Sequence, residues 1–163
     1  MFENNFCEIY EYQHFNLTSK KTEDCIFCSP ANEIIFETAF AYSMFDKFPV
    51  SEGHSLIIPK RHVSNYFDLT LNEQIASQLI INRLKLFLDD KYNPDGYNVG
   101  VNIGKTGGQT INHVHIHLIP RYVGDVRNPI GGVRNVIPNK GDYIANKKNW
   151  ENQKLMIINK KCK

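Results

Sequence analysis

The longest helical pattern lies in the middle of the sequence. From residue 71 to 91, apolar side chains recur at steps of three and four, as on an amphipathic helix. Thr70 stands at the N-cap position, and Glu73 completes the pattern of a capping box. The turn-forming stretch 93–96 ends the pattern. The sequence therefore predicts one long helix, whose apolar positions are Ile75, Leu79, Ile80, Leu84, Leu86, Phe87 and Leu88.

Short apolar segments on either side of this helix have the composition of strands. Residues 33–38 and 39–45 are rich in Ile, Phe and Tyr, and residues 55–59 form an apolar run closed by proline. Residues 97–103 alternate loosely, and a fifth segment alternates strictly between 110 and 121. We therefore expect an α+β domain: an antiparallel sheet of about five strands with the one long helix packed on it.

The strict alternation places His113, His115 and His117 at every second position. On a strand these side chains share one face, and the intervening Val114, Ile116 and Leu118 share the other and belong to a core. Half of the six histidines in the chain fall in this segment. The alternative is that these histidines have no functional role and occupy the polar face of a half-buried strand by chance. A row of imidazoles instead predicts a nucleophile, phosphate contacts or a metal ligand.

A glycine-rich stretch, 102–110, leads into the histidine segment. Glycine lets a backbone approach a ligand and turn its N–H groups toward an anion. Gln109 and Thr110 add neutral donors for phosphoryl oxygens, and Asn102 is a further candidate phosphate contact. A hairpin turn without a ligand is the alternative. The position of this stretch next to the imidazoles favours phosphate binding.

Four cysteines are present, and two of them, Cys25 and Cys28, have the spacing of a metal or redox site. A thioredoxin-like site needs a βαβ pattern, which is not evident here. Structural zinc sites close such a pair with two more N or S ligands, and His62 and His113 are the candidates. The alternative is two reduced core cysteines. With four protein ligands, the zinc would hold the N-terminal segment against the sheet and activate no water.

The segment Gly107-Gly108-Gln109-Thr110, followed by His113-Val114-His115-Ile116-His117-Leu118-Ile119, resembles the signature of the histidine triad (HIT) family of nucleotide hydrolases and transferases. Residues 45–62 also resemble the family, and the resemblance extends over about 25–121. It implies an α+β fold, often dimeric through joined sheets. It also implies that His115 is the nucleophile, His117 a phosphate contact and Asp46 the ribose ligand. Zinc-binding members resembling this sequence, which are bacterial in type, use Cys25, Cys28, His62 and His113.

Three further assignments come from the residues themselves. His54 is expected near the triad, where it would assist catalysis. An ionised Asp46 can accept hydrogen bonds from both ribose hydroxyls, although a turn aspartate before Pro49 is the structural alternative. Ile26 and Phe27 are candidates for an apolar wall against the base.

Size and charge narrow the classes of protein. A chain of 163 residues with net charge +2 fits one domain and does not call for a nucleic-acid or membrane partner. No apolar stretch predicts a signal peptide or a membrane span, so a cytoplasmic location is expected. We divide the chain into an N-terminal extension (1–24), a HIT domain (25–121) and a C-terminal extension (122–163) with a short helix at 148–159.

Three functional classes follow. The first is a hydrolase that cleaves purine nucleoside phosphoramidates or dinucleoside polyphosphates at the α-phosphate, through a nucleotidyl-histidine on His115. The second is a nucleotidyl transferase or phosphorylase, with an acceptor site supplied by the segment around Arg134. The third is a non-catalytic nucleotide sensor, which would keep the pocket without a competent nucleophile.

Overall fold

The computed structural model describes residues 22, 24–30 and 33–145. Five strands form one antiparallel sheet in the order β1-β2-β3-β5-β4. The elements are β1 (Ile34–Glu37), β2 (Ala41–Phe45), β3 (Ser55–Pro59), α1 (Leu71–Tyr92), β4 (Gly96–Val101) and β5 (Ile116–Arg121), with 3-10 helices at Tyr66–Asp68 and Gly132–Val136. The predicted α+β architecture of five strands and one long helix is confirmed.

The ends of α1 follow from the residues that flank it. The Thr70 hydroxyl accepts a hydrogen bond from the Glu73 N–H, and the Glu73 carboxylate accepts one from the Thr70 N–H, so the predicted capping box is present. At the other end Asn93 has a φ of 46°, the left-handed conformation that terminates helices. Pro94 follows at once and cannot continue the helix.

The core-facing side of α1 is narrower than its apolar pattern suggests. Ile80, Leu84 and Leu88 are fully buried against the sheet. Ile75, Leu79 and Leu86, which the periodicity placed with them, are each at least half exposed. The helix was predicted correctly, but the side that it buries runs through every fourth residue from Ala76.

The two faces of the sheet carry different clusters. Ile57, Ile116 and Leu118 pack with α1 in the main core. Their strand neighbours point the other way, so Leu56 joins Phe27 in a second cluster on the open face. The helix therefore covers one face, and the segment around residues 25–28 covers part of the other.

The histidine segment enters the sheet later than predicted. Strand β5 begins at Ile116, so His117 alone of the three histidines lies in a strand. The Val114 N–H bonds to the Val63 carbonyl in a loop beyond β3, and regular pairing with β3 therefore starts at residue 116. Val114, Ile116 and Leu118 are all buried, as the alternation predicts, but His113 and His115 are buried as well, so burial does not alternate over 113–116.

Some predictions lie outside the described residues. Neither the structure of 1–21 nor the helix expected at 148–159 falls within them, and the domain boundaries stay predictions. No helix among the residues that are described has both the length and the apolar character that crossing a bilayer requires.

Candidate functional site

A pocket of about 350 Å³ opens on the face of the sheet opposite α1. It contains seven of the predicted site residues: Ile26, Phe27, Asp46, Asn102, Thr110, His115 and His117. Its volume is at the lower end of the range for small-ligand sites, which suits one mononucleotide. The structure therefore brings together the candidate nucleophile, the candidate ribose ligand and the candidate base wall.

The ring of His115 is held in one orientation by the chain itself. Its Nδ1 lies 2.8 Å from the His113 carbonyl oxygen, which can only accept a hydrogen bond. In the neutral ring Nδ1 therefore carries the proton, and Nε2 has a free lone pair. The ring also contacts Phe27, at 5.2 Å between ring centroids. A buried imidazole with its lone pair on Nε2 is in the form that nucleophilic attack requires.

His54 fixes the tautomer of His117 through a short chain of hydrogen bonds. The Val50 N–H donates to His54 Nδ1 at 3.3 Å, so the proton of His54 is on Nε2. That nitrogen lies 3.0 Å from Nδ1 of His117 and donates to it. The proton of His117 is therefore on Nε2, a buried atom without a hydrogen-bond partner among the described residues. His117 thus presents an unpaired N–H donor in the pocket.

Burial keeps these rings neutral. It lowers the pKa of His117 to about 4, with further lowering from His115 and His54 and a smaller opposing effect of Asp46. Burial also lowers the pKa of His54, again opposed by Asp46. Near neutral pH the two rings therefore act as hydrogen-bonding groups and carry no net charge.

Asp46 lies at the rim of the pocket, directly after β2. One carboxylate oxygen accepts the Phe48 N–H at 2.8 Å, as in an aspartate turn. The other lies 3.6 Å from His54 Nδ1, which is too long for a hydrogen bond. Asp46 can therefore be both a turn aspartate and a ribose ligand, because its second carboxylate oxygen remains free to accept from a sugar hydroxyl.

Gln109 is the one predicted phosphate donor whose side chain is occupied elsewhere. Its amide oxygen accepts the Gly104 N–H, and its amide nitrogen donates to the Ser64 and Ile111 carbonyls. It does not line the pocket. Gln109 instead holds the glycine-rich loop in shape, and in that loop a Cβ on Gly107 would lie 2.4 Å from a backbone oxygen.

A second cluster lies beside the pocket. Cys25, Cys28, His62 and His113 each direct one ligand atom to a common centre, with all four atoms within 4.8 Å of one another. The Cys25 Sγ lies 3.4 Å and the Cys28 Sγ 3.7 Å from His113 Nδ1, and the Cys28 Sγ lies 3.3 Å from His62 Nδ1. Tetrahedral zinc with ordinary bond lengths would separate S and N ligands by about 3.6 Å. The donor set and its spacing fit that ion.

The environment of His113 is suited to a metal ligand. Its Nε2 lies 2.9 Å from the Pro59 carbonyl and donates to it, so the lone pair of Nδ1 is directed at the sulfurs. Burial lowers the pKa of His113 to about 4, which keeps the ring neutral and available. Neither Cys25 nor Cys28 forms a disulfide bond, so both sulfurs are available as ligands.

Phe27 lies between the two clusters. Its ring contacts His113 at 5.9 Å and His115 at 5.2 Å. The Tyr42 hydroxyl donates to the Phe27 carbonyl at 2.7 Å and fixes the segment that carries both cysteines. The apolar wall of the pocket is therefore built from the residues between two metal-ligand candidates.

Sequence reasoning missed several residues of this region. The pocket is also lined by Met44, Lys47, Phe48, Leu56 and Ile111. Beside the metal-ligand cluster, Arg61 forms two hydrogen bonds of 2.7 Å with the buried Glu73 carboxylate. Only the register of the strands brings Met44 and Leu56 together, and no local pattern signals that pairing.

Comparison with known proteins agrees with this geometry. A family model described as "HIT domain" matches residues 30–124. The chain is 38% identical over 97 residues to a Bis(5'-adenosyl)-triphosphatase of Dictyostelium discoideum, covering 60% of this chain and 65% of that protein. It is 32% identical over 108 residues to an AP-4-A phosphorylase of Mycobacterium tuberculosis, covering 64% and 55%.

Solved structures show the same fold. A Zn-bound histidine triad family protein from Mycobacterium smegmatis superposes with a TM-score of 0.59 at 28% identity, covering 64% of this chain and 80% of that one. A HIT family protein from Bacillus anthracis gives 0.61 at 27% identity and covers 85% and 97%. With the triad, the pocket and the Cys/His cluster in place, these matches show that the chain belongs to the HIT family.

Proposed function

We propose that this protein hydrolyses purine nucleoside phosphoramidates or dinucleoside polyphosphates at the α-phosphate and releases a nucleoside monophosphate. The observation that carries the proposal is the pair of opposite tautomers at His115 and His117. One ring offers a lone pair and its neighbour offers a buried N–H donor in the same pocket. Nucleophilic attack at phosphorus needs both features together.

The reaction then has two steps. In the first, Nε2 of His115 forms a bond to the α-phosphorus, and the bond from phosphorus to the leaving group breaks, with its electron pair on the departing oxygen or nitrogen. Nε2–H of His117 donates to a phosphoryl oxygen and stabilises the charge that develops. In the second, the oxygen of water attacks phosphorus, and the bond from phosphorus to Nε2 of His115 breaks with its electron pair on Nε2. A proton of that water passes through solvent to the group that left in the first step, and the ring is free again. Asn102 and Thr110, which line the pocket, are the proposed further phosphate contacts.

The sugar and base would occupy the rest of the pocket. Asp46 accepts hydrogen bonds from the ribose hydroxyls, while Ile26 and Phe27 form the apolar wall for the base. His54 acts through His117, whose tautomer it fixes. Gln109 contributes by holding the glycine-rich loop and would reach a phosphate only if its side chain rotated.

We also propose that Cys25, Cys28, His62 and His113 hold a structural zinc ion. The four ligands leave no coordination position for water, so the ion supplies rigidity and no step of the reaction. The Zn-bound relative from Mycobacterium smegmatis supports the choice of metal. A dimer and a cytoplasmic location stay predictions.

Phosphorolysis is the second candidate activity, because one relative is an AP-4-A phosphorylase. Phosphorolysis has the same first step as the proposed hydrolysis. In the second step, inorganic phosphate takes the place of water. A non-catalytic sensor is a weaker candidate, because His115 is present in the nucleophilic form.

The deciding experiment is product analysis with adenosine 5'-phosphoramidate, diadenosine tetraphosphate and ATP, each with and without inorganic phosphate. AMP formed without phosphate supports hydrolysis, and ADP formed only with phosphate supports phosphorolysis. His115→Asn should abolish turnover, since an amide cannot replace the attacking ring, and should leave AMP affinity within about threefold, because the other pocket contacts persist. Near-normal turnover in this variant would refute the covalent mechanism.

A further inference from the structure

One row of residues crosses four strands of the sheet beneath the pocket. Met44 on β2 is opposite Leu56 on β3, Leu56 is opposite His117 on β5, and His117 is opposite Gly100 on β4. Directly opposed residues of an antiparallel sheet point to the same face. The pocket is lined by the first three members of the row and not by Gly100. The floor of the site therefore continues for one strand beyond His117.

No described residue covers the surface over Gly100. A Cβ at this position would meet no described atom within 4 Å, and the backbone is not in the left-handed region. Neither crowding nor backbone conformation requires glycine here. Valine and other branched residues are in fact more usual in strands. Because the fold does not require glycine at position 100, we infer that the open space above Gly100 serves a function.

The open strip has a border on its far side. The next residue of β4 on the same face is Asn98, roughly 6.6 Å along the strand from Gly100. Its side chain accepts a hydrogen bond from Arg121 and lies against Gly132, where a Cβ would be 3.3 Å from the amide nitrogen. The 3-10 helix Gly132–Val136 thus closes the strip at that end.

We propose that this strip is the subsite for the leaving group, and that Gly100 admits leaving groups as large as a nucleoside polyphosphate. The inference rests on the proposed function. Apolar residues of the pocket, with Asp46, lie on the β2 and β3 side of His117. One nucleoside monophosphate fills that side. The proposed phosphate position is at His117. On the other side of His117 along the row, the remaining open space on the sheet lies over Gly100.

The open position over Gly100 and its border indicate the substrate class. A phosphoramidate with a small amine needs no such space, whereas a dinucleoside polyphosphate must place a second nucleotide beyond the scissile bond. The bordering helix carries Arg134, whose guanidinium carbon lies 5.6 Å from the ring centroid of the half-exposed Tyr143. A cation and an aromatic ring are the groups that bind phosphate and stack on a base. Dinucleoside polyphosphates are therefore the preferred substrates.

A size series at Gly100 tests the subsite. Gly100→Ala, Gly100→Val and Gly100→Leu are assayed with diadenosine tetraphosphate and with adenosine 5'-phosphoramidate, whose leaving group is only ammonia. The larger side chains should progressively lower kcat/KM for the dinucleotide, by about tenfold or more with leucine, because they fill the strip. Turnover of the phosphoramidate should fall by a much smaller factor than that of the dinucleotide at each step of the series, because ammonia does not occupy the strip.

Gly96→Leu is the matched control. Gly96 lies on the same strand and face, opposite Arg121, and a Cβ there also meets no described atom within 4 Å. Because it is four residues from Gly100, this variant should keep wild-type kcat/KM with both substrates. Equal losses on both substrates in Gly100→Leu, or no loss on either, would refute the subsite and leave the hydrolase proposal standing.

A binding measurement separates the two proposals. Calorimetry measures the affinities for AMP and for a methylene-bridged diadenosine tetraphosphate analogue. Their ratio reports binding in the subsite in the absence of turnover. Gly100→Leu should weaken binding of the analogue by about tenfold relative to AMP. An unchanged ratio of the two affinities would overturn the inference. A wild-type protein that binds both ligands but cleaves neither substrate would refute the hydrolase alone, and one that binds neither ligand would refute both proposals.

Discussion

The Nε2 of His54 lies 3.0 Å from the Nδ1 of His117, and this contact determines which nitrogen of His117 carries the proton. The substitution His54→Leu removes this N–H donor, so both tautomers of His117 become accessible. We expect kcat to fall by about 10- to 100-fold, the usual effect of losing a group that orients a functional histidine. AMP affinity should change much less, because Asp46 and the apolar wall remain.

The conservative variant separates orientation from packing. His54→Gln can still donate an N–H toward His117 and should recover part of the lost kcat. Nitrogen NMR of the His117 ring gives an independent readout: the Nε2–H tautomer should dominate in the wild type and mix with the other form in His54→Leu. An unchanged tautomer ratio would show that His54 has no positioning role.

The lowered pKa of His117 makes stability depend on pH. The folded ring takes up a proton only near pH 4, whereas an unfolded histidine does so near 6.5. Between these values the unfolded chain binds more protons, so the free energy of unfolding falls as pH drops from about 6.5 to 4 and is not affected by this group above 6.5. His54 shifts in the same direction and adds to the effect.

Urea unfolding at several pH values between 7.5 and 4 measures this dependence. Other histidines contribute to the wild-type curve, so the comparison is with His117→Gln, which cannot titrate. The variant should lose less unfolding free energy than the wild type over the same range. Curves with the same pH dependence would contradict the assignment of a depressed pKa to His117.

Metal removal should loosen the segment that carries the cysteines. Chelation of the wild type, or Cys28→Ala, deprives the cluster of its ion or of one ligand. We expect the unfolding free energy to fall by more than about 2 kcal/mol, since loss of a structural metal is among the largest single effects. Ser29→Ala, at the exposed neighbouring position, is the control. Less than half an equivalent of zinc in protein purified without chelator, with stability unmoved by chelation, would refute the metal site.

The Arg61–Glu73 pair gives a prediction for stability alone. Glu73 is almost fully buried and bonds both to Arg61 and to the Thr70 N–H, so it joins the segment before His62 to the start of α1. Glu73→Gln removes the carboxylate charge that contacts Arg61 most closely in a partly buried site. We expect a loss of about 1–3 kcal/mol in unfolding free energy, measured with urea.

The neighbouring Lys60–Glu37 pair is the natural control for that variant. Its N–O distance is 2.9 Å, but both side chains are largely exposed. Glu37→Gln should therefore cost less than about 0.5 kcal/mol. Similar losses in the two variants would show that burial does not distinguish these pairs.

Sequence patterns were sufficient for the fold because the elements follow local rules. Apolar composition located β1 to β3, alternation located β4 and β5, and steps of three and four located α1, with Thr70 and Glu73 at its start. The alternation at 113–118 predicted the burial of Val114, Ile116 and Leu118 but not that of His113 and His115. Cys25 and Cys28 were recognisable from their spacing alone.

What the sequence could not supply was everything that depends on register. Leu56 becomes a pocket residue because it pairs with His117, and no property of residues 55–59 indicates that partner. The late start of β5 depends on the departure of the chain from the sheet after Pro59, which leaves the Val114 N–H bonded to the Val63 carbonyl in the loop. The occupied state of Gln109 and the tautomers of the histidines are likewise properties of three-dimensional contacts.

The position of Ile26 and Phe27 between Cys25 and Cys28 has a thermodynamic consequence. Any displacement of the two sulfurs moves the two residues that face the base, since no other residue separates them along the chain. We therefore expect the proposed metal and nucleotide affinities to be coupled, and coupling of this kind is reciprocal. A bound nucleotide would then strengthen binding of the proposed ion, and loss of that ion would weaken the affinity for the nucleotide by the same factor.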